Sequence, residues 1–136
     1  MEQLNRRMLR SRDAIDRAWA HPLDIHGLAR IACVSEAHFI RTFRATFGET
    51  PHRYLQRRRV ERAMFMLRES DRSVTEISLE VGFASLGTFS RTFRDIVGRS
   101  PIDYRAKTEV MSVPTCFMMA WTRPSSFGEA KVFAAP

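Results

Sequence analysis

The sequence predicts an all-α fold in which one small helical unit occurs twice, the copies joined by a long helix and followed by a short apolar C-terminal tail. Three observations carry this expectation. FIRTFRATFGETPHRY, from Phe39 to Tyr54, recurs fifty positions later as FSRTFRDIVGRSPIDY, from Phe89 to Tyr104, and self-similarity at that period marks a repeated supersecondary unit. Apolar residues within each copy fall at i, i+3, i+4, i+7, the spacing of a helix face. Both copies then close on the same punctuation, Gly48 before Thr50-Pro51 and Gly98 before Ser100-Pro101, which stops one helix and starts another.

In chain order, residues from about 4 to 20 carry Leu4, Met8, Ile15, Ala18 and Trp19 on one face and stop before Pro22, giving a leading helix. Asp24 caps the next, with Ile25, Leu28, Ala29 and Ala32 as its apolar stripe. A tight connection through Cys33-Val34 leads to a helix capped by Ser35, whose Phe39, Phe43 and Phe47 form one inward stripe. The second copy matches upstream at an offset of forty-nine, Val74 with Ile25 and Ile77 with Leu28, so it holds one extra residue near Gly82-Phe83. There Ser73 and Glu76 form a capping box, Ser85 caps the second helix, and Phe89, Phe93 and Val97 repeat the inward stripe. Two helices joined by a short turn make a helix-turn-helix.

Between the copies, residues 51–69 place Leu55, Val60, Met64 and Leu67 on one side and Arg57, Arg58, Arg59 and Arg62 around the rest. At ~1.5 Å per residue this joining helix is roughly 25 to 28 Å long and sets the separation of the two units. The expected organisation is a first subdomain over 4–50, the joining helix over 51–69, a second subdomain over 70–108 and an extension over 109–136. From Val110 onward only Arg123, Glu129 and Lys131 are charged, amid Met111, Phe117, Met118, Met119 and Trp121. That is too apolar for a solvated linker, and the segment is expected to pack on its own domain or against a second copy.

Composition narrows the function. A chain of 136 residues suits one compact domain or two very small ones and no large enzyme scaffold. The net charge of +7 and the pI near 10.6 favour an anionic partner, nucleic acid first. Only Lys107 and Lys131 among the 22 basic residues are lysines; arginine is the side chain suited to bidentate contacts with phosphate and guanine. Cys33 and Cys116, with no signal peptide ahead of them, make neither a disulfide framework nor a four-ligand zinc site, so the chain reads as reduced and cytoplasmic. No apolar run approaches ~20 residues, and no membrane span is expected. Surface or cap roles are expected for His21, His26, His38 and His52, and a packed position for Cys33. Cys116 is the one residue that fits a different class, an alkyl-accepting cysteine, but that chemistry needs a thiolate beside a histidine and none follows His52.

On a helical wheel Ala37, Arg41 and Arg44 cluster within about 60° of one another, roughly 130° from the phenylalanine stripe. The second copy repeats this with Gly87, Arg91 and Arg94, flanked by Thr88 and Ser90. Such a helix fits a major groove about 12 Å wide. On a single helix these would be solvated charges; two units that keep the same outward arginine pair while their other outward residues differ favour readout of DNA.

The stretch SVTEISLEVGFASLGTFSRTFRDIVGRSPIDYR, from Ser73 to Arg105, resembles the signature of the AraC/XylS family of bacterial transcription regulators, and Asp24 to Tyr54 resembles that family's first helix-turn-helix. The resemblance covers about residues 4 to 107. It implies a seven-helix domain of two helix-turn-helix subdomains that set their recognition helices into successive major grooves of double-stranded DNA. Carried over by position, Ala37, Ile40, Arg41 and Arg44 fall at the contacts of the first recognition helix, and Leu86, Gly87, Thr88, Ser90, Arg91 and Arg94 at those of the second; Ser35, Arg58 and Ser85 are candidate phosphate contacts. Ala37, Ile40, Leu86 and Gly87 depart from the larger or hydrogen-bonding residues often found there. Arg41 and Arg91 are then the candidates for guanine, and Ile40 or Leu86 for a thymine methyl. Ser78 replaces the family's usual alanine, a change packing should tolerate. The resemblance implies no catalysis and no cofactor. It is to stand-alone members that bind asymmetric sites as monomers and recruit RNA polymerase, with a weak homodimer through the tail as the other assembly. The rival readings are the DNA-binding part of a larger effector-responsive regulator, and an interaction protein that keeps the fold with only weak non-specific DNA binding.

Overall fold

The computed structural model describes residues 2–110, which form seven α-helices and, among the described residues, no strand. They are α1 (Glu2–Arg17), α2 (Ile25–Ala32), α3 (Glu36–Phe47), α4 (Pro51–Glu69), α5 (Val74–Glu80), α6 (Leu86–Val97) and α7 (Pro101–Val110). The expectations for the apolar tail lie outside the described residues. The chain divides into two units whose boundary falls between Arg58 and Arg59, inside α4.

In the first unit α1 packs on α2 and α3, and α2 on α3. The core holds Met8, Ile15, Leu28, Ala29, Ala32, Phe39, Phe43, Tyr54 and Leu55. Ser11 is fully buried on the α1 face, and its hydroxyl donates to the Leu28 carbonyl at 3.0 Å; a small side chain lets the two helices approach, and the bond satisfies its one donor. The leading helix stops at Arg17 rather than near residue 20. The chain turns through Ala18 to Ala20 with His21 N donating to Ala18 O, and Pro22, which disfavours helical backbone at His21, follows directly.

The helix ends follow the chemistry expected of them. Asp24 Oδ1 accepts from Gly27 N at 2.9 Å, Ser35 Oγ from His38 N and Thr50 Oγ1 from Arg53 N. Gly48 ends α3 at φ +83° with its N–H bonded to Arg44 O. Cys33 corrects the sequence reading. It is exposed rather than packed, at φ +60°, capping α2 with its N–H on the Ala29 and Arg30 carbonyls. The left-handed backbone demanded by that cap points the side chain outward.

The second unit is built on Val60, Ala63, Met66, Leu67, Ile77, Val81, Phe83, Phe89 and Phe93, all buried. Its capping box is complete, with Ser73 and Glu76 each bonding the other's backbone N–H at 3.0 Å. Ser78 is buried as its hydroxyl donates to Thr75 O at 2.7 Å, so the serine fits without an orphaned donor. The turn ahead of α6 matches its counterpart bond for bond: Val34 N reaches Ala29 O as Phe83 N reaches Ser78 O. Cys33 therefore corresponds to Gly82, φ +100°, and the extra residue of the second copy is Ala84. Arg105 then closes the C-terminal end of α4, donating to Leu67 O and Ser70 O, carbonyls with no partner inside the helix.

Candidate nucleic-acid interface

Each recognition helix is held from beneath by aromatic rings. Phe39 and Phe43 in α3, and Phe89 and Phe93 in α6, are fully buried. Phe43 packs edge-on against Phe47 and Tyr54 with centroids 4.6 and 5.8 Å away; Phe93 meets Tyr104 likewise at 5.6 Å. These rings fix the rotation of each helix about its axis, and so decide which residues face solvent.

On α3, Ala37, Ile40, Arg41 and Arg44 are all exposed. On α6, Leu86, Gly87, Arg91 and Arg94 are exposed, whereas Thr88 and Ser90 are half-buried. Ser85 caps α6 by accepting from Thr88 N and also donates to Thr88 Oγ1 at 3.1 Å, so both hydroxyls at this corner are engaged. Ser35 keeps its own hydroxyl proton while accepting from His38 N.

The arginines divide by role. Among the described residues the side chains of Arg41, Arg44, Arg91 and Arg94 have no hydrogen bond, ion pair or ring contact. Five of those on α4 have partners in their own unit. Arg57 forks onto Glu49 Oε2 at 2.7 and 3.0 Å and lies over the Tyr54 ring. Arg58 donates to Asp16 Oδ1 at 3.1 Å, Arg59 lies over Phe83 and Arg62 over Phe65, and Arg68 donates to the Tyr104 hydroxyl at 2.6 Å. Burial lowers the Arg59 pKa from the ordinary guanidinium value. These α4 arginines are thus engaged on each side of the boundary by groups of the unit they belong to, while the guanidinium groups of the two recognition helices face solvent.

Sequence reasoning passed over Glu36. It is exposed in the first turn of α3, at the repeat position of Leu86, and its Oε2 lies 3.2 Å from Nδ1 of exposed His26 on α2. The available signal was its place directly after the cap Ser35. His21, His38 and His52 are exposed as well. No helix among the described residues is long and apolar enough to cross a membrane.

Comparison with known proteins agrees with this geometry. A family model described as a helix-turn-helix domain matches residues 28–107. The regulatory protein SoxS of Escherichia coli is 35% identical over 91 residues, covering 67% of this chain and 85% of SoxS. An uncharacterized HTH-type transcriptional regulator of Haemophilus influenzae is 41% identical over 81 residues, 60% of this chain. The chain spans 27% of the length of that relative and 34% of the probable transcriptional regulator LumQ of Photobacterium leiognathi. Among solved structures, the DNA-binding domain of AdpA in complex with a target DNA superposes with a TM-score of 0.71 at 31% identity, covering 76% of this chain and 94% of that one. A probable AraC family transcriptional regulator from Rhodopseudomonas palustris gives 0.70 at 25% identity, with 76% and 97% covered.

Two helix-turn-helix units, each presenting an unpaired arginine face on its second helix, define a tandem helix-turn-helix protein. The chain belongs to the AraC-type family of such domains, a family and fold of DNA-binding transcription regulators rather than of enzymes.

Proposed function

We propose that the chain is a sequence-specific, double-stranded DNA-binding transcription regulator that sets α3 and α6 into successive major grooves. The observation that carries this reading is the division of arginines: the pairs on both recognition helices are left unpaired while those on α4 are engaged. Unpaired guanidinium groups on a convex, ring-supported helix suit phosphate and guanine. Arg41 and Arg91 take base edges, Ile40 or Leu86 a thymine methyl, and Arg44, Arg94 and the Ser35 hydroxyl the backbone, while Ser85 reaches a phosphate only by turning its proton away from Thr88 Oγ1. Arg58 reaches a phosphate only by sharing or leaving Asp16. SoxS, a regulatory protein, and the AdpA domain bound to its target DNA support the same reading.

The protein performs no catalysis in this account, acts in the cytoplasm where bacterial DNA lies, and recruits RNA polymerase from an asymmetric site as a monomer. Residues 4–50 and 70–108 serve as the two reading units, 51–69 as their joint, and 109–136 as a contact surface on the chain itself or on a second copy. Removal of everything after Glu109 tests the last role: an unchanged melting temperature and sedimentation coefficient would exclude it. Small residues at Ala37 and Gly87 favour a second reading, a protein that keeps the fold and binds DNA weakly without preference. Competition between selected and random duplexes at fixed salt separates the two, because only a specific regulator is displaced preferentially by the selected duplex.

A further inference from the structure

Gly87 is a glycine the fold does not require. It stands in the first turn of α6, where glycine destabilises a helix relative to alanine. It lacks the positive φ of Gly48, Gly82 and Gly98. It also lacks the crowding at Gly27, where a Cβ would collide with the capping Asp24 carboxylate. A Cβ at position 87 would meet one neighbour, Nη1 of Arg91, at 3.5 Å. The guanidinium of Arg91 therefore folds back over the turn that Gly87 leaves bare, as expected of side chains one turn apart that lean toward the helix N-terminus. In the first repeat the same two positions hold Ala37 and Arg41, again a small residue four places before the outward arginine.

We infer that Gly87 is a positioning residue for base recognition: by withholding a side chain it lets Arg91 cover the first turn of α6 and makes that one arginine the determinant of base preference in its half-site. The inference rests on the DNA-reading role proposed for Arg91. An absent side chain at a reading position is thus not a loss of specificity but a way to concentrate it in a single bidentate donor. The ligand chemistry is that of a guanine edge, with O6 and N7 as paired acceptors. At 3.5 Å the Cβ of alanine makes ordinary contact and leaves the guanidinium in place, whereas a longer side chain takes the space Arg91 occupies.

The test uses the full chain and a duplex selected by it from random sequence, together with duplexes substituted at each base pair in turn. Gly87→Ala should keep the guanine preference within about twofold and raise the melting temperature. Gly87→Leu, and Gly87→Gln as a second bulky variant, should lower that preference about tenfold or more, to the level of Arg91→Ala. The melting temperature should not fall below that of wild type, and binding to random duplex should fall far less than the guanine preference, a combination a merely structural defect would not give. The double variant Gly87→Leu/Arg91→Ala should lose no further preference. Retention of the guanine preference by both bulky variants overturns the inference while leaving the role of Arg91 intact. Retention of it by Arg91→Ala instead overturns the underlying assignment.

Discussion

Tyr54 donates its hydroxyl proton to Asp16 Oδ1 at 2.7 Å, and the same oxygen accepts from Arg58. In the second unit the repeat partner Tyr104 takes the opposite role and accepts from Arg68. One tyrosine position thus ties two different partners to the floor of its recognition helix, an acid in one unit and a base in the other.

The first bond has a pH signature. Burial, then the hydrogen bond and charge of Asp16, raise the Tyr54 pKa above the ordinary tyrosine value. As pH rises through about 10 the unfolded chain loses this proton first, so the folded state binds more protons and stability falls. The contribution of Tyr54 is complete below pH ~10 and fades above it. Tyr54→Phe should cost about 1 to 3 kcal/mol at neutral pH, and its deficit relative to wild type should shrink in urea titrations between about pH 10 and 11. A deficit that stays constant over that interval would contradict the assignment.

Cys33→Gly should stabilise the protein by about 0.5 to 1 kcal/mol. The left-handed conformation costs a side-chain-bearing residue roughly 1 to 2 kcal/mol, part of which is offset by the freedom glycine adds to the unfolded chain. The equivalent position already holds Gly82 at φ +100°. Thermal unfolding checks this, and a lower melting temperature would show that the thiol makes contacts worth more than the strain.

Affinity for DNA should fall steeply with salt. Contacts to six to eight phosphates would give a slope of about −5 to −7 in log K against log salt. Because the α4 arginines are held within their own unit, the shallow end near about −5 is expected. A slope shallower than about −2 would mean that this basic surface is not the binding face.

Much of the fold was legible because its signals are local. Caps at Asp24, Ser35, Ser73 and Ser85, the stops at Gly48 and Gly98, and the phenylalanine stripe act within one turn of themselves, and the duplication showed each of them twice. What escaped depends on distance in sequence. Nothing near Arg58 announces Asp16, forty-two residues earlier, so the sequence offers Arg58 only as a candidate phosphate contact. The exposure of Cys33 was hidden for a related reason: its side chain follows the backbone of a turn whose left-handed residue is a glycine only in the other copy.

The central claim is that two arginines, one per recognition helix, read bases. The most direct measurement is equilibrium binding of wild type, Arg41→Ala and Arg91→Ala to the selected duplex and to its single-base-pair variants at one salt concentration. Each substitution should cost roughly 1 to 3 kcal/mol on the selected duplex and abolish preference at its own base pair, the two positions lying about ten apart, while Arg58→Ala weakens all duplexes alike. Uniform loss across every duplex for both Arg41→Ala and Arg91→Ala would contradict the claim and reduce both arginines to phosphate contacts.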